Sequence, residues 1–133
     1  MTSSGIRAPS SFTPDAKPVS PLILWRTRKP TVFLRRNIGS IREALLETEI
    51  YGEPDWSRAI LGDAAVALRI AVQQMKVHPI TATEVDLALS AVLACALEGE
   101  PASAILISSA LRRRAKCDPP CRNLSLLWLV AKF

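Results

Sequence analysis

Two twelve-residue stretches of this chain follow one pattern, AILGDAAVALRI from Ala59 to Ile70 and ALEGEPASAILI from Ala96 to Ile107. Each runs Ala, an aliphatic, any residue, Gly and an acid, then Ala at the seventh and ninth places, an aliphatic at the tenth and Ile at the twelfth. The glycines read as helix punctuation, a break at Gly62 and a stop at Gly99. The alanines read as positions where two helix axes approach closely. The offset between copies is about one helical hairpin, the length class of stacked helical repeats. Ala67 and Ala104 are therefore expected to face neighbouring helices.

The rest of the chain fits helices on either side of these stretches. Ser40-Ile41-Arg42-Glu43 and Thr81-Ala82-Thr83-Glu84 match the capping-box pattern, in which a hydroxyl takes an orphan amide and the glutamate reaches back. Helices are expected from Ser40 to near Gly52 and from Pro54 to about Lys76, the second interrupted at Gly62. A third should run from Thr81 to Gly99 and a fourth from Pro101 into the basic run Arg112, Arg113, Arg114 and Lys116, which meets the negative end of the helix dipole. A last helix, Leu124 to Ala131, follows Pro119 and Pro120 and is apolar almost all round, so it should pack into a core or against another chain. The fold class read from the sequence is all-α, with about five helices in a small bundle or helical-hairpin stack over 38–133.

Within this pattern Gly62, Asp63, Ala67, Leu68, Met75 and Pro79 stand where the second helix of a tetratricopeptide unit places its Gly, acid, Ala, two aliphatics and closing Pro. Gly99, Glu100, Ala104, Ile105 and Leu111 form a second set, so part of the chain resembles tetratricopeptide-like helical-hairpin repeats. The resemblance implies a groove for a peptide or partner helix and no catalysis. The chain departs from the family in its offset, about three residues longer than the family's repeat. The large aromatics of the first helix are also missing, and the residues before Asp55 form no clean partner helix.

The net charge of +5 is concentrated at the N-terminus. Residues before Ile38 hold Arg7, Lys17, Arg26, Arg28, Lys29, Arg35 and Arg36 against one acid, Asp15, while the remainder carries slightly more acids than bases. Prolines at 9, 14, 18 and 21 exclude a continuous helix there. An extended, Pro/Ser-rich basic arm over 1–37 is expected, attracted to an anionic partner. Its aromatic and basic residues, Trp25, Arg26, Arg28, Lys29, Phe33, Arg35 and Arg36, combine stacking surface with phosphate-binding charge, the chemistry of single-stranded nucleic acid or the minor groove; equally, they fit a solubilising tail whose apolar residues pack along the chain's own helices. Arg112, Arg113, Arg114 and Lys116 form a second basic cluster.

Other chemistry is sparse. Cys95, Cys117 and Cys121 make an odd number of thiols behind a polar N-terminus with no apolar h-region, so a reducing, cytoplasmic setting is expected. A tetrahedral metal site needs four ligands, and only Cys95 and His78 are at hand to join Cys117 and Cys121, so no metal and no cofactor is expected. The spacing leaves open whether Cys117 and Cys121 pair. His78, the sole histidine, sits in an interhelix connection, and there is neither a glycine-rich phosphate loop nor a nucleophile elbow. No apolar run reaches the roughly 20 residues of a membrane span.

With a hydrophobic fraction of 49% in a 133-residue chain, these absences point away from an enzyme. They point toward a small interaction protein, an adaptor or accessory subunit, whose partner is another protein or a second copy. The docking surface read from the sequence is Leu124, Leu127 and Trp128 with the basic arm. The alternative is nucleic-acid binding through the arm, with the bundle as a dimerisation or regulatory core. A third and weaker reading is contact with an anionic membrane surface through Leu22 to Arg36.

Overall fold

The computed structural model describes residues 20–131. Among them the chain is all-helical and contains no strand. Two 3-10 turns, Pro21–Ile23 and Pro30–Val32, flank the short helix α1 (Leu24–Thr27). The others are α2 (Arg36–Leu45), α3 (Trp56–Ile60), α4 (Ala64–Val77), α5 (Thr83–Leu97), α6 (Pro101–Arg114) and α7 (Cys121–Val130). The stretches 1–19 and 132–133, with the first half of the expected arm, lie outside the described residues.

Among the described residues seven α-helices stand where about five were expected, for two physical reasons. Gly62 takes φ +113, a left-handed angle that L side chains avoid, and so divides the expected second helix into α3 and α4. The segment around Trp25, expected to be extended, instead coils into α1 and packs its indole fully into the core.

α5 is the centre of the molecule. Twelve of its fifteen residues are buried, including every position from Leu87 to Leu97. A helix apolar all round must be surrounded, and α5 packs against α1, α2, α3, α4 and α6. Small residues permit this: Ala88, Ala91, Ala94 and Ala96 on α5, and Ala67 and Ala71 on α4, are all buried. Ala67 has no exposed surface, and Ala104 packs half-buried against the same core.

The repeated sequence is a repeated corner. At the end of α3, the amide of Gly62 donates to the carbonyl of Ala59 and that of Asp63 to Arg58; at the end of α5, Gly99 donates to Ala96 and Glu100 to Cys95. Both closures need a glycine with positive φ, +113 at Gly62 and +100 at Gly99. The acid then caps the next helix, Asp63 accepting from the Val66 amide at 3.2 Å and Glu100 from the Ser103 amide at 2.9 Å. Arg42 ties the corners together: its guanidinium forks onto Glu98 at 2.6 and 3.0 Å and lies against Gly62.

Neither capping box forms. α2 begins four residues before Ser40, because Ile38 belongs to the buried stripe of Ile41 and Leu45 and the helix extends to include it. Ser40 is left inside the helix, bonding back to the Arg36 carbonyl. α5 begins at Thr83 with Ala82 as an uncapped lead, its first turn carrying Glu84 and Asp86 toward the positive end of the dipole.

Candidate docking surface

The aromatic-basic set of the arm divides into residues the fold uses and residues it leaves out. Trp25 is fully buried, its indole N–H donating to Asp86 at 2.9 Å. Arg26 forks onto the same carboxylate through Nε at 2.9 Å and Nη2 at 3.0 Å, a bidentate geometry that holds its guanidinium charged still more firmly. Ser90, one turn along α5, donates to the Leu22 carbonyl. Asp86 and Ser90 thus clamp residues 22–26 onto α5, and Trp25 and Arg26 are structural residues rather than a stacking platform. Sequence reasoning passed over Asp86, although it is the sole acid between Glu84 and Glu98 on an otherwise apolar helix.

Phe33 is half-buried and meets the ring of Trp128 at a centroid distance of 6.1 Å. Arg28, Lys29, Arg35 and Arg36 stay exposed, without an ion pair to any described residue. In the second basic cluster Arg114 turns inward, reaching Asp118 and the Ile80 carbonyl, while Arg112, Arg113 and Lys116 remain exposed.

All three cysteines are free thiols. Cys117 is exposed; Cys121 is buried beside the Asp118 carboxylate, and burial first, then that neighbour, push its thiol up to about 11. Burial also raises the thiol of Cys95, partly offset by Arg42. No group of three His, Cys, Asp or Glu side chains among the described residues is arranged to hold a metal ion.

The docking set on the last helix is rearranged. α7 starts at Cys121, three residues earlier than expected, and its inward stripe is Cys121, Ser125 and Trp128, each about one turn from the next. Trp128 is only 1% exposed and belongs to the core, and Leu124 is half-buried; of the expected trio only Leu127 faces outward. What carries the outer surface is Leu126, Leu127, Leu129 and Val130, between 37% and 73% exposed. The signal for this was a small-residue stripe: Ser125 mates with Ser108 of α6, each hydroxyl within hydrogen-bond distance of the other's hydroxyl and carbonyl, so a polar residue marks the buried face. Beside the ridge, Arg112, Ala115, Arg122, Ser125 and Leu126 line a groove of about 360 Å³ between α6 and α7.

No family model, no curated protein and no solved structure matches this chain. Among the described residues no helix is long and apolar enough to cross a membrane.

Proposed function

We propose that this chain is a small, non-enzymatic interaction protein, an adaptor or accessory subunit, that docks through the outer face of α7 and the basic residues beside it. The observation that carries this reading is the aliphatic ridge Leu126, Leu127, Leu129 and Val130 on a helix whose other side is fixed to the core by Trp128 and the Ser108–Ser125 pair. Contiguous exposed apolar surface rimmed by charge marks interaction sites in soluble domains. The two matching corners and the contacts of α3 with α4, α4 with α5 and α5 with α6 support the tetratricopeptide-like reading, in which stacked hairpins bind peptides and helices, although α5 also packs against α1, α2 and α3.

Replacing Leu126 and Leu129 by Asp tests the reading, since both are exposed and neither supports the core. Affinity recovery from native lysate should yield a stoichiometric partner, further copies included, on the natural chain and lose it on the variant at unchanged melting temperature. Equal recovery on both would overturn the proposal.

The nucleic-acid reading keeps one supporting observation, the four exposed cations Arg28, Lys29, Arg35 and Arg36, which make no ion pair among the described residues. Its test is charge reversal at these four positions, which should abolish a salt-dependent affinity for single-stranded oligonucleotide. Removal of the whole segment is a poor test because it takes Trp25 out of the core.

A further inference from the structure

The order of packing gives the molecule two unlike ends. α3 packs on α4 and α5, whereas α7 packs on α6 and α1. Outside α3, a pocket of about 270 Å³ is lined by Leu46, Thr48, Glu49, Ile50, Trp56 and Ile60. Its floor is apolar and held in place, with Trp56 and Ile60 buried and the Trp56 indole donating to the Thr48 hydroxyl at 3.2 Å. Leu46 and Glu49 of its lining are exposed, as are their chain neighbours Glu47 and Tyr51, the last with no cover at all.

Charge is segregated between the ends. From residue 43 to 57 the chain carries Glu43, Glu47, Glu49, Glu53 and Asp55 and no base. Arg69 engages Glu53 and Asp55, which leaves Glu43, Glu47 and Glu49 exposed and without an ion pair among the described residues. From 112 to 122 the reverse holds, with five bases and one acid. Arg114 takes that acid, Asp118, and Arg112, Arg113, Lys116 and Arg122 are left exposed and without an ion pair among the described residues. Along α7, Arg122, Leu126 and Leu129 fall on one outward stripe at i, i+4 and i+7, a basic foot with an aliphatic crest.

We propose that the α3 pocket receives the α7 ridge of a second copy of this chain, so that copies associate head to tail. This rests on the docking reading above and names the partner. The aliphatic crest of Leu126 and Leu129 enters the pocket over Trp56 and Ile60, and Arg122 and Arg112 meet Glu47 and Glu49 at the rim. Like-with-like pairing is opposed at either end, because apposing two α7 faces brings uncompensated cations together and apposing two pockets does the same with glutamates. The contact is therefore heterologous, and such contacts propagate unless the rotation closes a ring.

The test uses the purified full chain in sedimentation velocity. The natural protein should show a weight-average sedimentation coefficient that rises with concentration toward about 1 mM, the range of weak association. Raised salt, which shortens the screening length, should shift it back toward monomer. A chain with Arg122→Glu and Leu126→Asp and a chain with Glu47→Lys and Glu49→Lys should each remain monomeric. Mixed in equal amounts they should form a single discrete heterodimer, since one sound pocket meets one sound ridge. That mixture is also immune to loss of fold, because a misfolded partner yields no complex of defined size and circular dichroism reports it directly.

A natural chain that stays monomeric throughout overturns the proposal. So does association that survives either pair of substitutions, or one abolished by both and not restored on mixing well-folded variants. A monomeric chain that still recovers a foreign partner through Leu126 and Leu129 would leave the docking reading standing and remove only the self-association.

Discussion

Asp86 supplies within the chain the anion that the arm's basic residues were expected to find on a partner. Its carboxylate accepts from the Trp25 indole and twice from the Arg26 guanidinium, in a site where both charged side chains are mostly covered. Trp25→Phe should therefore cost about 1.5 to 3 kcal/mol for a lost bond to a charged group, and Trp25→Ala about 3 to 5 kcal/mol, as the core empties as well. Urea titration of the two variants separates the contributions. A second residue-scale contrast lies in the thiols. Cys117 is exposed, while Cys95 and Cys121 are buried with raised pKa values, so a native thiol titration near pH 8 should count one reactive group and a denatured one three. Acid should act through Glu98, whose carboxyl the Arg42 hydrogen bonds hold below its ordinary value. A depressed folded-state value contributes stability that is whole above the unfolded pKa of about 4.3 and is lost as pH falls through the folded one. Glu98→Gln should flatten the fall in melting temperature below about pH 4.5. For Cys121 the sign reverses, and its share is whole below about pH 8.5 and lost as pH climbs toward about 11.

At the scale of elements, the sequence made the helices legible and their ends only partly so. Gly62, Gly99 and Pro101 could be placed because a positive φ and a fixed φ are properties of single residues, readable without neighbours. The starts of α2 and α5 were misplaced because a capping box competes with burial. At Ile38 a buried isoleucine outweighed the Ser40 cap, which is worth about 1 kcal/mol. α7 was misread because its inward face is Cys121, Ser125 and Trp128, and only the mating hydroxyl of Ser108, distant in sequence, shows that Ser125 points in. The two corners give the sharpest element-scale prediction. Gly62→Ala and Gly99→Ala should each cost about 1 to 2 kcal/mol for a left-handed backbone, and Glu100→Ala about 1 kcal/mol for the lost cap on α6. A Cβ at Gly62 would come within 3.1 Å of the Arg42 guanidinium that holds Glu98. Gly62→Ala and Glu98→Gln should therefore be non-additive, whereas a corner effect confined to backbone strain would sum.

Over the whole molecule, one buried cluster runs from Trp25 to Trp128, and the expected division at residue 37 does not coincide with an edge of that core. Charge and apolar periodicity could not reveal this, since Leu22, Leu24 and Trp25 read equally well as an arm's patches or as the lining of α5; the arbiter is Asp86, sixty positions away. A chain beginning at Ile38 would uncover the sites that Trp25 and Pro30 fill and leave Asp86 without its three donors. Uncovered, the Asp86 carboxylate is hydrated in the first turn of α5, where the helix dipole favours it, so the cost of truncation is the lost contacts rather than a stranded charge. Within the shortened chain the substitution Asp86→Leu should therefore change stability little, whereas in the full chain the same substitution should destabilise by leaving Arg26 and the Trp25 indole without their acceptor. Chemical denaturation of the four proteins checks this. If residues 20–37 were only an accessory tail, truncation would leave the midpoint in place and Asp86→Leu would act alike in both lengths. A large loss in the full chain beside little change in the shortened one is the expected result, and it would mark the segment as part of the folding unit.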